Sequence, residues 1–498
     1  HPGHHDDRNE GVSTVPDRLV AMQIGAISFV DEGVDRTLDI LAERGAVNAL
    51  FLATPTWTRG TGGRQIPGHP IPDHGGQEYD LGWVGGNYAT PHPQYYGNTV
   101  LGAVGKAPEN PELDLLGDVI PKARERGMQS FAWMEESGGA RELRTYPNFA
   151  KVLEVDAWGR PGRRPCFNNP DYRNWHLGFV EDYVQSYQLD GLAWCSERPG
   201  PLNMLMQGTV DVAEIGCFCP HCRAVARERG IDVNRAMQGY RELVDWNQRV
   251  GAGERPVDGA FVTFWRILLN FPEVLAWQTL WTESQRQLYR DIYGVTKAIS
   301  PEVQVGWHVY HNISFSPFYR ADQDYTEMAK FSDFIKVVIY NNCAGPRFFT
   351  WVKSICGALF ADAEPEDVYP LMMKLLQLDE GDYAKLPQSG FSADYVRRET
   401  ERAVAGVGGQ SKIYPGIDID IPVGVAKQRG LEKPRDVGTK INWDDNEGEL
   451  TRCTRESVRD ATLAAFAGGA EGVVLSRKYS EMLLENLSGA GDAVRGLS

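Results

Sequence analysis

Asp190-Gly-Leu-Ala-Trp-Cys-Ser-Glu-Arg198 is an apolar run that ends in polar residues, and it follows Tyr172 to Tyr187, a stretch patterned as a helix. The same alternation recurs on either side. Toward the N-terminus lie Leu19 to Phe29, with a helix over Asp31 to Arg44, then Val47 to Trp57, then Met128 to Glu136 after a helix over Asp114 to Arg126. Toward the C-terminus lie Val303 to Asn312, after a long amphipathic stretch from Phe261 to Ser300, then Phe334 to Asn342, Lys412 to Ile421 and Gly472 to Tyr479. Near-continuous apolar strands alternating with helices indicate a parallel sheet covered on both faces. Eight such units predict an α/β fold of the (β/α)8 type, a TIM barrel, over residues 19–498, after an N-terminal extension at 1–18. No GxGxxG or Walker pattern follows the first strand, which argues against a nucleotide-binding sheet.

The 498 residues exceed the roughly 250 that such a barrel needs. The surplus falls after strands two, four, six and seven, at about 58–113, 199–260, 343–409 and 422–455. These segments far outrun ordinary βα loops of about 2–6 residues. They leave the barrel at the C-terminal face, where barrel active sites are built. The insertion after strand two carries His69, His74 and His92 among Gly, Pro and Tyr, and reads as a loop that shapes a substrate site. A net charge of −16 without clustered Lys or Arg speaks against nucleic acid. No apolar run reaches the eighteen or so residues needed to cross a bilayer, so a soluble chain is expected. The chain opens on His1 rather than Met, which leaves its compartment open between cytoplasm and secretion.

Cys217, Cys219 and Cys222, in Cys-Phe-Cys-Pro-His-Cys, form the most specific motif, with Cys166 upstream in Arg-Pro-Cys-Phe-Asn-Asn-Pro. A C-x-C-x2-C run puts three thiolates within reach of one tetrahedral ion, and Cys166 would close the shell. The reading is a small structural zinc knuckle, with His221 and Cys195 as competing ligands; buried thiols or two disulfides are the alternative. This order of motifs resembles glycoside hydrolase family 42, the β-galactosidases. There a Cys-x-Asn-Ser-Pro-x-Tyr-Arg segment precedes a strand ending in Asn-Glu and then a Cys-Tyr-Cys-x-x-Cys run. Here the matching pieces are Cys166-Phe-Asn-Asn-Pro-Asp-Tyr-Arg173, Ala193 to Glu197, and Cys217 to Cys222, within about Arg164 to Gly230. The remainder is more similar to a group described as hypothetical glycosyl hydrolases, on Gln23-Ile-Gly-Ala26 and Gly416-Ile-Asp-Ile-Asp-Ile-Pro422. The resemblance implies that Glu197 is the acid/base and that Cys166, Cys217, Cys219 and Cys222 hold zinc. The chain departs from it at Ser196, where the family has Asn, and on strand seven, where Asp418 and Asp420 stand in place of a nucleophilic Glu. The family's C-terminal domains are also not expected, because strand eight finishes near the end of the sequence. Galactoside specificity therefore does not carry over.

Glycoside hydrolysis needs two carboxyl groups, one protonated and one ionised. Glu197, beside Trp194 and Cys195, is expected to sit in an apolar setting that keeps it protonated; its other reading is a salt bridge to Arg198. In Gly416-Ile-Asp-Ile-Asp-Ile421, a period of two puts Asp418 and Asp420 inward and the isoleucines outward. Asp420, nearer the strand end, is preferred as nucleophile or base. Substrate contacts are expected from Trp133, Glu135, Trp194, His308, Tyr310, Tyr340, Asn341, Arg477, Lys478, His74 and His92, with Arg477 and Lys478 suggesting an anionic sugar. Two other readings compete. One is a metal-dependent carbohydrate lyase or isomerase that uses His69, His74 and His92 with Glu135 and His308. The other is a barrel that binds carbohydrate without cleaving it. Homo-oligomerisation is compatible with either.

Overall fold

The computed structural model describes residues 18–57, 62–64, 71–78, 80, 82–139, 142–208, 210–420 and 452–497. The expected extension at 1–18 lies almost wholly outside the described residues, as do His69, Ile421 and most of the 422–455 insertion. The strands are β1 (Leu19–Ile24), β2 (Ala49–Ala53), β3 (Gln129–Glu135), β4 (Leu153–Val155), β5 (Pro161–Pro165), β6 (Gly191–Cys195), β7 (Gln304–Val309), β8 (Phe334–Val337), β9 (Lys412–Ile413), β10 (Gly416–Asp418) and β11 (Gly472–Ser476). Nine of them form one parallel sheet in the order β10-β11-β1-β2-β3-β6-β7-β8-β9, curled with helices around it. The two ends of that order, β9 and β10, are parts of one run interrupted at Tyr414-Pro415. Pro415 has no N–H to give the ladder, which breaks the strand there. Pairing resumes one step on, where Val338 bridges Gly416.

Residue parity sorts the core into two layers. Phe51, Phe131, Phe334 and Tyr414 point inward and fill the axis, with ring centroids 4.9 Å apart for Phe51–Phe131 and 5.2 Å for Phe334–Tyr414. A Cβ at Gly306 would run into the Phe334 ring, so the narrow interior requires glycine there. The alternate residues pack outward under helices: Trp194 lies against Tyr289, from the helix Glu273–Ile299, and against Trp307. Local chemistry sets the helix starts. Asn169 caps the helix Pro170–Ser186 by accepting from the Asp171 and Tyr172 amides, with Pro170 in the first turn where its missing N–H costs nothing.

Several elements are shorter than the sequence pattern suggests. The first strand stops at Ile24, and a helix Ala26–Glu32 takes over, capped by an extended Gly25. The sixth stops at Val337, and Asn341 opens the helix Asn341–Cys356. The Phe261 to Ser300 stretch is two helices, Gly259–Asn270 and Glu273–Ile299, parted at Phe271-Pro272. In each case the apolar run continues past the strand or helix into residues that pack on a different element, so hydrophobicity alone overstates its length.

Candidate active site

The parity that points Ala193 and Cys195 into the barrel carries Glu197 to the same side, two residues beyond the end of β6. Cys195 pairs in register with His308 on β7. His308 Nε2 lies 3.3 Å from Glu197 Oε1, and the glutamate side chain is 35 % exposed against 4 % for the histidine. The edge of the His308 ring meets Trp133, which stands inward on β3. Across the mouth Asp418 and Asp420 are buried, while Ile417 and Ile419 join the outer core. Asp418 Oδ2 accepts from the Cys343 amide at 2.9 Å and Oδ1 from the Asp420 amide at 3.1 Å. Asp420 Oδ2 lies 2.8 Å from Arg452 Nη2. Its φ of 139° is one that residues with a side chain rarely adopt.

Other expected contacts are placed elsewhere. Trp194 and Ser196 have outward parity; Trp194 belongs to the helix-facing core, and Ser196 Oγ donates to Glu136 Oε2 at 2.6 Å. His74 is fully buried between Glu32, 3.0 Å away, and the Met482 carbonyl, 2.7 Å away, tying the loop after β2 to the segment after β11. His92 pairs with Asp182 at 2.6 Å against the helix Pro170–Ser186. Neither histidine stands with Glu135 or His308, because each is committed to a buried carboxylate on a helix, Glu32 on Ala26–Glu32 and Asp182 on Pro170–Ser186. Glu135 Oε2 accepts the Trp57 amide at 2.8 Å. Asn341 donates to the Phe391 carbonyl at the start of its helix, and Tyr310 packs edge-on against Tyr319. Lys478 is buried against the Gly63 carbonyl and Glu481, and burial brings it down to about 8. It is an internal brace rather than a rim cation. Arg477, one residue earlier, is half-buried.

Two groups escaped the sequence reading, and a third, Arg198, takes partners other than the one it offered. Lys336 is fully buried on the inner face of β8 and donates to Gln23 Oε1 and, at 2.9 Å, to the Tyr340 hydroxyl. Burial pushes its ammonium down to about 7. Arg347, on the helix Asn341–Cys356, approaches His311 at 3.4 Å. Burial opposes its charge, and the carboxylates of Glu197 and Asp418 are among the groups that offset this and favour the guanidinium. Behind the mouth, Arg198 bridges Glu136 at 2.7 Å and Glu154 at 2.5 Å. The alternative pairing of Arg198 with Glu197 therefore gives way to this outward network. Only Lys336 left a signal in the sequence: with Phe334 inward, a period of two puts Lys336 inward as well.

Cys166, Cys217, Cys219 and Cys222 are buried and free, their sulfurs within 4.8 Å of one another. Cys166 Sγ lies 3.6 Å from Cys219 Sγ and 3.5 Å from Cys222 Sγ. Zinc–sulfur bonds of 2.3 Å in a tetrahedron put sulfurs about 3.8 Å apart. The amides of Val155, Asn168 and Cys219 point at these sulfurs at 3.3–3.4 Å, as expected around thiolates. The group is compatible with a metal site. His221 is exposed and Cys195 stands in the barrel, so neither joins it.

No protein-family model matches the chain, and no curated protein does. Among solved structures, a β-galactosidase from the psychrophilic Marinomonas ef1 is similar at 10 % identity and a TM-score of 0.50, over 96 % of this chain and 59 % of that one. The catalytic mutant of Gan42B, a GH42 β-galactosidase from G. stearothermophilus, is similar at 11 % identity and a TM-score of 0.49, over 96 % and 56 %. The PgaB (BpsB) glycoside hydrolase domain from Bordetella bronchiseptica is similar at 13 % identity and a TM-score of 0.46, over 96 % and 97 %. The Marinomonas match shows a shared fold. The chain spans a little over half the length of the two β-galactosidase chains. Among the described residues no helix is long and apolar enough to cross a membrane.

Proposed function

We propose that this chain is a glycoside hydrolase that cleaves an O-glycosidic bond at the mouth of a (β/α)8 barrel. Glu197 is the general acid/base and Asp420 the nucleophile or base, and zinc at the four cysteines holds the loop behind the site. The observation that carries the reading is the placement of Glu197, just beyond β6, and the buried Asp418–Asp420 pair, at the end of β10, on well-separated strands around one mouth. Glycosidases need two carboxyl groups flanking the bond.

The two aspartates take different parts. Asp418 is bound to the backbone at Cys343 and at Asp420, so it fixes the strand end. Asp420 lies beyond it with its carboxylate against Arg452, in the unusual backbone conformation that often marks a functional residue. Glu197, partly open to the mouth, delivers a proton to the leaving oxygen. Trp133 and Tyr340 line the walls beneath. In the cysteine site four sulfur donors leave no open position, which suits a structural ion. The fold shared with the Marinomonas β-galactosidase supports a glycosidase at the general level, and the substrate is a carbohydrate of unassigned sugar and linkage. The lyase reading loses support, since His74 and His92 are committed elsewhere.

The test is turnover on a panel of aryl glycosides and natural oligosaccharides. Glu197→Gln should lower it by about 10²–10⁴-fold, the usual worth of general acid help. Wild-type turnover in that variant would overturn the assignment.

A further inference from the structure

Cys195, Glu197 and His308 converge on one point of the inner wall, their sulfur, carboxylate and imidazole donor atoms all within 4.8 Å of one another. This trio is separate from the cysteine knuckle and differs from it in kind. The knuckle offers four sulfurs and a closed shell, whereas the trio offers one sulfur, one oxygen and one nitrogen, with a side open toward the mouth. Backbone register builds it. Cys195 and His308 are Cα partners on adjacent parallel strands, so their side chains stand next to each other on the inner face, and Glu197 follows at the next inward position. Trp133 meets the His308 ring edge-on, with 5.9 Å between centroids.

We propose that Cys195, Glu197 and His308 form a second metal site, for a soft divalent cation such as zinc, and that its occupation shuts the hydrolytic site. Three mixed N, O and S ligands plus an open fourth position are what zinc accepts in exchangeable sites. Zinc–nitrogen and zinc–oxygen bonds of about 2.0–2.1 Å in a tetrahedron set those two ligand atoms about 3.3–3.4 Å apart, and His308 Nε2 and Glu197 Oε1 lie 3.3 Å apart. Binding forms a bond to Cys195 Sγ as the thiol proton leaves to solvent, and uses lone pairs on His308 Nε2 and the Glu197 carboxylate, with no change of oxidation state. The ion enters by the exposed side of Glu197, since Cys195 and His308 are buried. A carboxylate engaged in this way can no longer carry the proton for the leaving group. That inhibitory consequence rests on the role of Glu197 proposed above; the binding itself does not.

The experiment titrates zinc into holoprotein already loaded at the knuckle, read by competition with a chromogenic zinc indicator and, in parallel, by hydrolysis. Wild type should take up one equivalent more than Cys195→Ala and Cys195→Ser. Cys356→Ser, altered at a half-buried cysteine elsewhere, should retain the extra equivalent. Hydrolysis by wild type should fall at least tenfold over the range in which that equivalent binds, while each Cys195 variant, referred to its own zinc-free rate, resists zinc. Equal uptake by wild type and both Cys195 variants overturns the site. Uptake that depends on Cys195 but leaves hydrolysis untouched upholds the site and overturns Glu197 as the proton donor.

Discussion

Arg198 Nη1 lies 2.7 Å from Glu136 Oε1, and both side chains are 4 % exposed. The second arm of the same guanidinium reaches Glu154, and its plane lies over the Phe167 ring, 4.3 Å from the centroid. Phe167 is next to Cys166, and Arg198 also donates to the Pro165 carbonyl at 2.9 Å. The cysteine cluster and the strand end that bears Glu197 are thus joined through one buried cation.

Removing that cation leaves two buried carboxylates without their partner. Arg198→Met should therefore cost about 3–5 kcal/mol of stability, the usual penalty for breaking a buried pair. Chemical denaturation of wild type and variant measures it. A loss below about 1 kcal/mol would show that the network adapts without the cation.

Cys166 is the one sulfur of the cluster from outside the Cys217–Cys222 run, and it follows directly on the β4–β5 hairpin. Cys166→Ser should remove one equivalent of bound metal per chain and lower the thermal midpoint, because metal held only by the folded site adds its binding energy to folding. Elemental analysis of the purified variant checks the first, and a melt with and without a chelator the second. An unchanged metal content would place the ion elsewhere.

His92→Ala separates the hydrolase reading from the histidine-rich metal reading. His92 pairs with Asp182 on the helix Pro170–Ser186, so the variant should lose about 1–3 kcal/mol of stability and keep wild-type turnover. A drop in turnover of tenfold or more that added metal restores would favour the lyase or isomerase.

Period two made much of the inner wall legible. It set Asp418 and Asp420 against Ile417 and Ile419, and the same count from Ala193 places Glu197 inward. Applied to its neighbours, that rule also sends Trp194 and Ser196 outward, against the expectation that proximity in sequence to Glu197 makes Trp194 part of the site. The commitments of His74, His92 and Lys478 were not legible, because their partners Glu32, Asp182 and Gly63 come from remote segments. Nor was the hold of the Cys343 amide on Asp418, which joins residues 75 positions apart. Arg347 sits within a helix, where an arginine reads as solvent-facing until the tertiary arrangement turns it to the mouth.

Lys336 yields a prediction in pH. In the unfolded chain its ammonium titrates at the ordinary value of 10.5, and in the folded protein burial brings it down to about 7. Between those values the unfolded state binds the extra proton, so the contribution of Lys336 to stability rises with pH. It is fully present above about 10.5, is lost as pH falls toward 7, and changes little below. Lys336→Met removes this dependence while keeping the length of the side chain. The stability of wild type minus that of the variant should rise with pH from about 7 to 10, with a slope of up to about 1.4 kcal/mol per unit. Lys478, brought down to about 8 by burial, titrates in the same direction in both proteins and cancels in the difference. Denaturant unfolding at pH 6, 7, 8, 9 and 10 supplies the curve. A difference independent of pH would mean that Lys336 stays charged beneath the mouth, held by Gln23 and Tyr340 as a fixed cation rather than as a neutral amine.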